Sequence, residues 1–240
     1  MDDGGLNKGI PVKCGSSHLD PIENKTRELD IHSTIPLDVK GVNLFVNFLV
    51  QCKATEKIWV FCHYGFEPVP SLGNKCIYTG VETKSKGIDL GLRVLYPDPV
   101  LKVDPKMLCG TAKILSKKGQ DEKGKDEIWD ACSSAVSAAT FYIESAERLP
   151  KATTYFADKK MLIYIPMVAT NNAIFFADFS QDEPKLKEVD VVYYVYDSLI
   201  GGISGRNIFI IPIITGQSLE RIVNAVTISS IKLLENCFTW

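Results

Sequence analysis

The stretch "FLVQCKATEKIWVF", residues 48–61, decides how the chain folds. Phe48, Leu49 and Val50 suit a strand buried on at least one side. Gln51 and Lys53 follow two residues apart, and side chains at that spacing share one face of a strand, while Val50 and Cys52 look the other way. A core strand thus ends by aiming an amide and an ammonium in one direction. Upstream, "VNLFVNFLVQCKA" is β-branched and aromatic throughout. Earlier still, "TRELDIH" alternates, which predicts Glu28, Asp30 and His32 on one face and Arg27, Leu29 and Ile31 on the other. Between the two strands "STIPLDVKG" reads as a turn or loop punctuated by Pro36 and Gly41. Strands joined by so short a link usually pair antiparallel, which would bring Asp30 and Glu28 beside Gln51 and Lys53.

The bulk numbers frame that expectation. A chain of 240 residues can bury a substantial core, and 45% hydrophobic with 23% charged residues is ordinary globular composition. A net charge of -2 argues against non-specific coating of nucleic acid, so any phosphate contact needs a local basic patch. The 7 cysteines are scattered without a C-x-x-C pair, and "MDDGGLNKGIPVKCGSS" lacks the apolar run of a signal peptide. Reduced thiols in a cytoplasmic protein are expected. Cys62, His63 and Cys76 fit no familiar zinc spacing. No apolar segment reaches the roughly 18 residues of a membrane span.

Further along, residues 67–125 are rich in proline and glycine, with strand-like fragments between, and read as an insertion of short strands. The lysine-rich "KILSKKGQDEKGK" reads as a solvated loop. "KDEIWDACSSAVSAATFYIESAER" is the clearest helix: Asp126 can cap it, and Ile128, Cys132, Ala135, Ala139, Tyr142, Ile143 and Ala146 form an apolar stripe. "KMLIYIPMVAT", "AIFFADF", "VDVVYYVYD" and "NIFIIPII" read as strands, "SQDEPKLKE" as a polar link, and "SLERIVNAVTISSIKLLENC" as a closing amphipathic helix. Strands, helix, strands, helix make an α/β fold with a mixed sheet.

An acid, an amide oxygen and an ammonium converging at a sheet edge are what phosphodiester hydrolysis requires. A hard cation such as Mg²⁺ takes oxygen ligands, lowers the pKa of a bound water and neutralises charge developing on phosphate. A lysine nearby can position that water or stabilise the transition state. Taken alone, Asp30 and Lys53 would also suit charges that protect an edge strand from aggregation. His18, His32 and His63 are too dispersed for a nucleophile–histidine arrangement, and "LIGGISGRN" lacks the spacing of a phosphate-binding glycine loop.

"RELDI" at 27–31 followed by "FLVQCKA" at 48–54 resembles the core of the PD-(D/E)XK, or restriction endonuclease-like, nuclease superfamily, and Q-x-K in place of E-x-K is similar to its Mrr-like members. "YIPMVATNNAIFFADF" and "VDVVYYVY" resemble segments of uncharacterised members of the same superfamily. The resemblance is dense over residues 26–54, thin over 160–196 and absent from the middle. It implies one nuclease-like domain over 1–240, with a restriction-endonuclease-like core and residues 67–125 inserted. Carried over by position, Asp30 would be the metal-binding aspartate, Gln51 the second ligand, Cys52 a ligand through its backbone carbonyl, and Lys53 the catalytic lysine, with Glu28 a further acid. Mg²⁺ or Mn²⁺ would be the cofactor and DNA the substrate, in restriction, defence or repair. Cutting both strands of a duplex calls for two sites, and so for a homodimer. The family's helix before the first core strand is absent or much reduced here, and Gln51 brings no formal charge to a cation. Both features favour a second reading, in which the nuclease fold survives as a non-catalytic binding or assembly module.

Overall fold

The computed structural model describes residues 12–20, 23–64, 105–115, 126–148, 160–180, 183–198 and 207–237. Eleven strands form two sheets among these residues. The larger sheet has the order β1-β2-β3-β7-β11-β10-β5, built from β1 (Val12–Leu19), β2 (Thr26–Val39), β3 (Val42–Lys53), β5 (Leu108–Cys109), β7 (Lys160–Thr170), β10 (Val191–Ser198) and β11 (Asn207–Thr215). The smaller has the order β6-β4-β8-β9, from β4 (Ile58–His63), β6 (Thr111–Leu115), β8 (Ile174–Asp178) and β9 (Lys185–Val189). Two helices complete the α/β architecture, α1 (Glu127–Arg148) and α2 (Leu219–Cys237). No helix among the described residues is long and apolar enough to cross a membrane.

β1, β2 and β3 run antiparallel in sequence, whereas β3, β7 and β11 are parallel neighbours. Both faces of the large sheet are covered, which is why its central strands read as nearly continuous apolar runs. On one face Leu44, Val46, Phe48, Val50, Ile163, Ile165 and Met167 meet Ile222, Val223, Val226 and Leu234 of α2. On the other, Leu29, Leu49 and Tyr164 meet Ala138 and Ala139 of α1. Farther along that second face, Trp59, Phe61, Ile174 and Phe176 of the small sheet pack with Ile128, Cys132 and Val136 of α1 on Val168, Ile211 and Ile213. Each such fully buried side chain contributes about 1.5–3 kcal/mol relative to exposure.

The helix α1 begins where its capping residue predicts. Asp126 Oδ1 accepts the backbone N–H of Ile128 at 3.0 Å and of Trp129 at 2.9 Å, and Lys57 reaches Glu127 at 2.6 Å. Replacing Asp126 by alanine is expected to lower the unfolding free energy by about 1 kcal/mol, read from the shift of a urea midpoint at constant slope.

Four segments differ from their sequence reading. "STIPLDV" is not a loop but the second half of β2, paired with β3 to the Val39↔Val42 step. The turn is only Lys40–Gly41, with φ of 54° and 74°, the left-handed pair that a two-residue hairpin of matching twist demands. Pro36 is tolerated because it lies beyond the last described β1–β2 pair, Val12↔Ser33. "SQDEPKLKE" is not wholly a link, since Lys185–Val189 forms the exposed edge strand β9. The polar stretch before "RELDI" supplies β1. Within the stretch read as an insertion, residues 67–104 and 116–125 lie outside the described residues, while Leu108–Cys109 joins the large sheet and Thr111–Leu115 the small one. "KILSKKGQDEKGK" therefore starts as strand β6 rather than as a solvated loop.

β3 and β7 leave the large sheet side by side and re-enter the small one as β4 and β8, again parallel. Asn171 and Asn172 hold this double crossing: Asn171 Oδ1 accepts the N–H of Thr55 at 3.2 Å, and Asn172 Nδ2 donates to the carbonyl of Lys57 at 2.7 Å. The crossing begins immediately after Lys53, so it fixes the end of the strand that carries Gln51 and Lys53.

Candidate active site at the end of the β2–β3 ladder

Paired main-chain steps between β2 and β3 end at Ile31↔Val50, which leaves Asp30 as the next residue of β2, facing Gln51 of β3. The strict alternation expected for "TRELDIH" breaks there. Arg27 reaches Ser134 of α1, Leu29 packs on Ala138 and Ala139 of α1, and His32 lies 4.6 Å from the ring of Tyr142, also on α1. Residues 27, 29 and 32 thus share one side, which no uninterrupted two-residue period allows. The break coincides with a step of the β1–β2 register that passes over Gly15 and Asp30, where Gly15 takes φ of 62°. A residue with a Cβ would be strained at that φ and would meet Glu28 Oε1 at 3.2 Å.

At this break the Asp30 carboxylate enters the strand ladder. Its Oδ2 accepts the backbone N–H of Cys52 at 2.7 Å and also the side-chain nitrogen of Gln51. A charged acceptor replaces the next main-chain rung, and hydrogen bonds to charged groups are the stronger kind. The carbonyl of Lys53 accepts the N–H of Asn171 on the β7 side at 3.4 Å. Main-chain groups alternate along a strand, so the carbonyl of Cys52 points toward β2 and Asp30. Gln51 is 9% exposed, and its carbonyl oxygen is buried without a hydrogen-bond partner among the described residues. Such an orphaned acceptor costs about 1–3 kcal/mol unless something else satisfies it.

Asp30 and Gln51 are therefore brought into direct contact, with the backbone of Cys52 beside them. Lys53 lies one step on, at the end of β3 opposite Thr170, half-buried. No hydrogen bond or ion pair among the described residues joins Lys53 to Asp30 or Gln51. Glu28 is exposed, faces Ser17 of β1 across the register, and has no such bond to Asp30 among the described residues. The Cys52 thiol is held above its ordinary value by partial burial, then by the Asp30 charge and Cys14, so it stays protonated at neutral pH and is no nucleophile. Burial lowers the His32 pKa more than its Asn47 contact raises it, so His32 is a neutral neighbour rather than a charged partner.

The donors beside Asp30 are a carboxylate, an amide carbonyl and a peptide carbonyl. An all-oxygen set of this kind fits a hard divalent cation in donor type, with only one formal negative charge. Among the described residues no group of three or more His, Cys, Asp or Glu side chains is gathered to hold a metal. Any cation here would rely on carbonyl oxygens and water for the rest of its shell.

Sequence reasoning missed a buried polar seam between β1 and α1. Asp20 is 1% exposed and paired with the Arg27 guanidinium, which also reaches Glu23 at 3.0 Å and Ser134 at 3.4 Å. Ser16, His18 and Ser137 are buried in the same seam. The only signal was "SSHLD", whose polar residues two apart look like any solvated strand until α1 is placed over them. The chain matches no family model, no curated protein and no solved structure.

Proposed function

We propose that the chain is a metal-dependent, endonuclease-like protein that hydrolyses phosphodiester bonds in DNA. The observation that carries this reading is the contact of Asp30 with Gln51 across β2 and β3, next to a buried Gln51 carbonyl with no partner. The resemblance of "RELDI" and "QCK" to the nuclease superfamily falls on those same residues. In this reading Asp30, the carbonyl of Gln51 and the carbonyl of Cys52 hold Mg²⁺ or Mn²⁺. When bound, the ion supplies an acidified water and neutralises charge on the phosphate. Asp30 anchors the ion while its Oδ2 stays tied to β3, and Lys53 stands where an ammonium can meet a phosphate oxygen or the attacking water. DNA and a second copy of the chain are the partners this chemistry calls for.

The test is calorimetric titration of Mn²⁺ into the wild type and Asp30→Asn, beside incubation of both with plasmid and single-stranded DNA in Mg²⁺ or Mn²⁺. Asparagine keeps an oxygen for the Cys52 N–H and removes the charge. The expected result is one Mn²⁺ site and DNA cleavage in the wild type, with both lost in Asp30→Asn. Absence of Mn²⁺ binding in the wild type would favour the non-catalytic binding or assembly module. One observation supports that second reading: Asp30 Oδ2 already has two donors from β3, as a purely structural carboxylate would.

A further inference from the structure

We propose that β1 is an acid-released latch: protonation of His18 detaches this edge strand from α1 and from β2. The inference rests on the buried seam and is independent of the nuclease reading. Among the described residues β1 has one sheet neighbour, β2, and packs against α1. His18 is 3% exposed and its ring lies 6.0 Å from that of Phe141 on α1. Among the described residues neither ring nitrogen has a hydrogen-bond partner, and the hydroxyls of Ser16 and Ser137 in the same seam are also without one. Neutral imidazole leaves two polar atoms unsatisfied there; imidazolium would add a buried charge with no hydrogen-bond acceptor among the described residues.

The charged groups facing His18 do not rescue that charge. Asp20 follows its strand directly, and β2 places Arg27 opposite in the register. These two are bonded to each other, and Arg27 offsets part of the Asp20 influence on the ring. α1 sets the uncharged Phe141 against the ring, with Ser134 on Arg27. Burial is accordingly the largest influence on His18 and lowers its pKa from the ordinary 6.5; Asp20 opposes this and Arg27 adds to it. With the closed-state pKa depressed, the strand's stability is fully present above about pH 6.5 and is lost as pH falls below it. Release is confined to the element that His18 anchors, because among the described residues β1 pairs on one side while β3 and β7 are paired on both.

Hydrogen exchange of backbone amides, corrected for intrinsic exchange and compared at pH 7.5 and 5.5, tests the latch. Opening to a state with an ordinary imidazole should become more frequent over this interval, by at most about tenfold. Protection over residues 12–19 should fall several-fold, within that ceiling, with β3 and β7 unchanged. In His18→Leu the pH dependence should vanish. Unchanged protection in the wild type overturns the proposal. So does a pH dependence that persists in His18→Leu, which would point instead to His32, opposite Lys13 of β1. Should His18→Leu not fold, a ring titration by nuclear magnetic resonance on the wild type decides: a folded-state pKa at or above the ordinary value overturns the latch.

Discussion

Lys53→Ala is expected to slow Mg²⁺-dependent DNA cleavage by at least about 100-fold while moving the unfolding free energy by no more than about 0.5 kcal/mol. The two halves of this expectation have separate causes. Lys53 is half-buried at the last step of β3, and no described side chain is bonded to its ammonium, so its removal breaks little. Its backbone, which accepts from Asn171, is unaffected by the substitution. For catalysis, loss of the ammonium leaves charge developing on a phosphate to the cation and water alone. The paired measurement, single-turnover cleavage beside urea denaturation, separates the roles. Equal cleavage by the wild type and Lys53→Ala would rule out the assigned chemistry, and a large loss of stability would make Lys53 a structural residue.

A second large effect is expected away from the candidate site. Arg27→Ala should destabilise the fold by about 3–5 kcal/mol, because removing one partner of a buried ion pair strands the other. Asp20 would keep a buried carboxylate, with the Glu23 backbone N–H at 3.0 Å among its remaining bonds. The substitution also deletes the bond to Ser134, which ties β2 to α1. Replacing Asp20 and Arg27 together by apolar residues of similar volume should recover most of the loss, since well-packed apolar substitutes are often neutral or stabilising. Equilibrium urea unfolding of the single and double variants reads both outcomes. A cost below about 1 kcal/mol for Arg27→Ala would show that water reaches Asp20.

Much of this architecture was legible because burial writes a period into the chain. "VNLFVNFLV" and "KMLIYIPMVAT" announced central strands, for a sheet covered on both faces needs apolar residues at nearly every position. The stripe from Ile128 to Ala139 and the cap at Asp126 announced α1 by helical spacing and by a free carboxylate one residue before the first turn. β1 and β9 gave no such signal. Both are edge strands with mostly exposed residues, so their main-chain pairing leaves no hydrophobic pattern to read.

The sequence by itself determined that Gln51 and Lys53 share a strand end, that an antiparallel strand carrying Asp30 lies beside it, and that the fold is α/β. Those conclusions follow from side-chain period and from the short link between two strands, both local properties. Only the tertiary structure decided how Asp30 is used. Where the β2–β3 ladder ends, its carboxylate takes the Cys52 N–H and the Gln51 amide. The same holds for His18, polar in the sequence and buried in the fold: whether a strand face meets water or a helix depends on where α1, more than a hundred residues later, comes to rest.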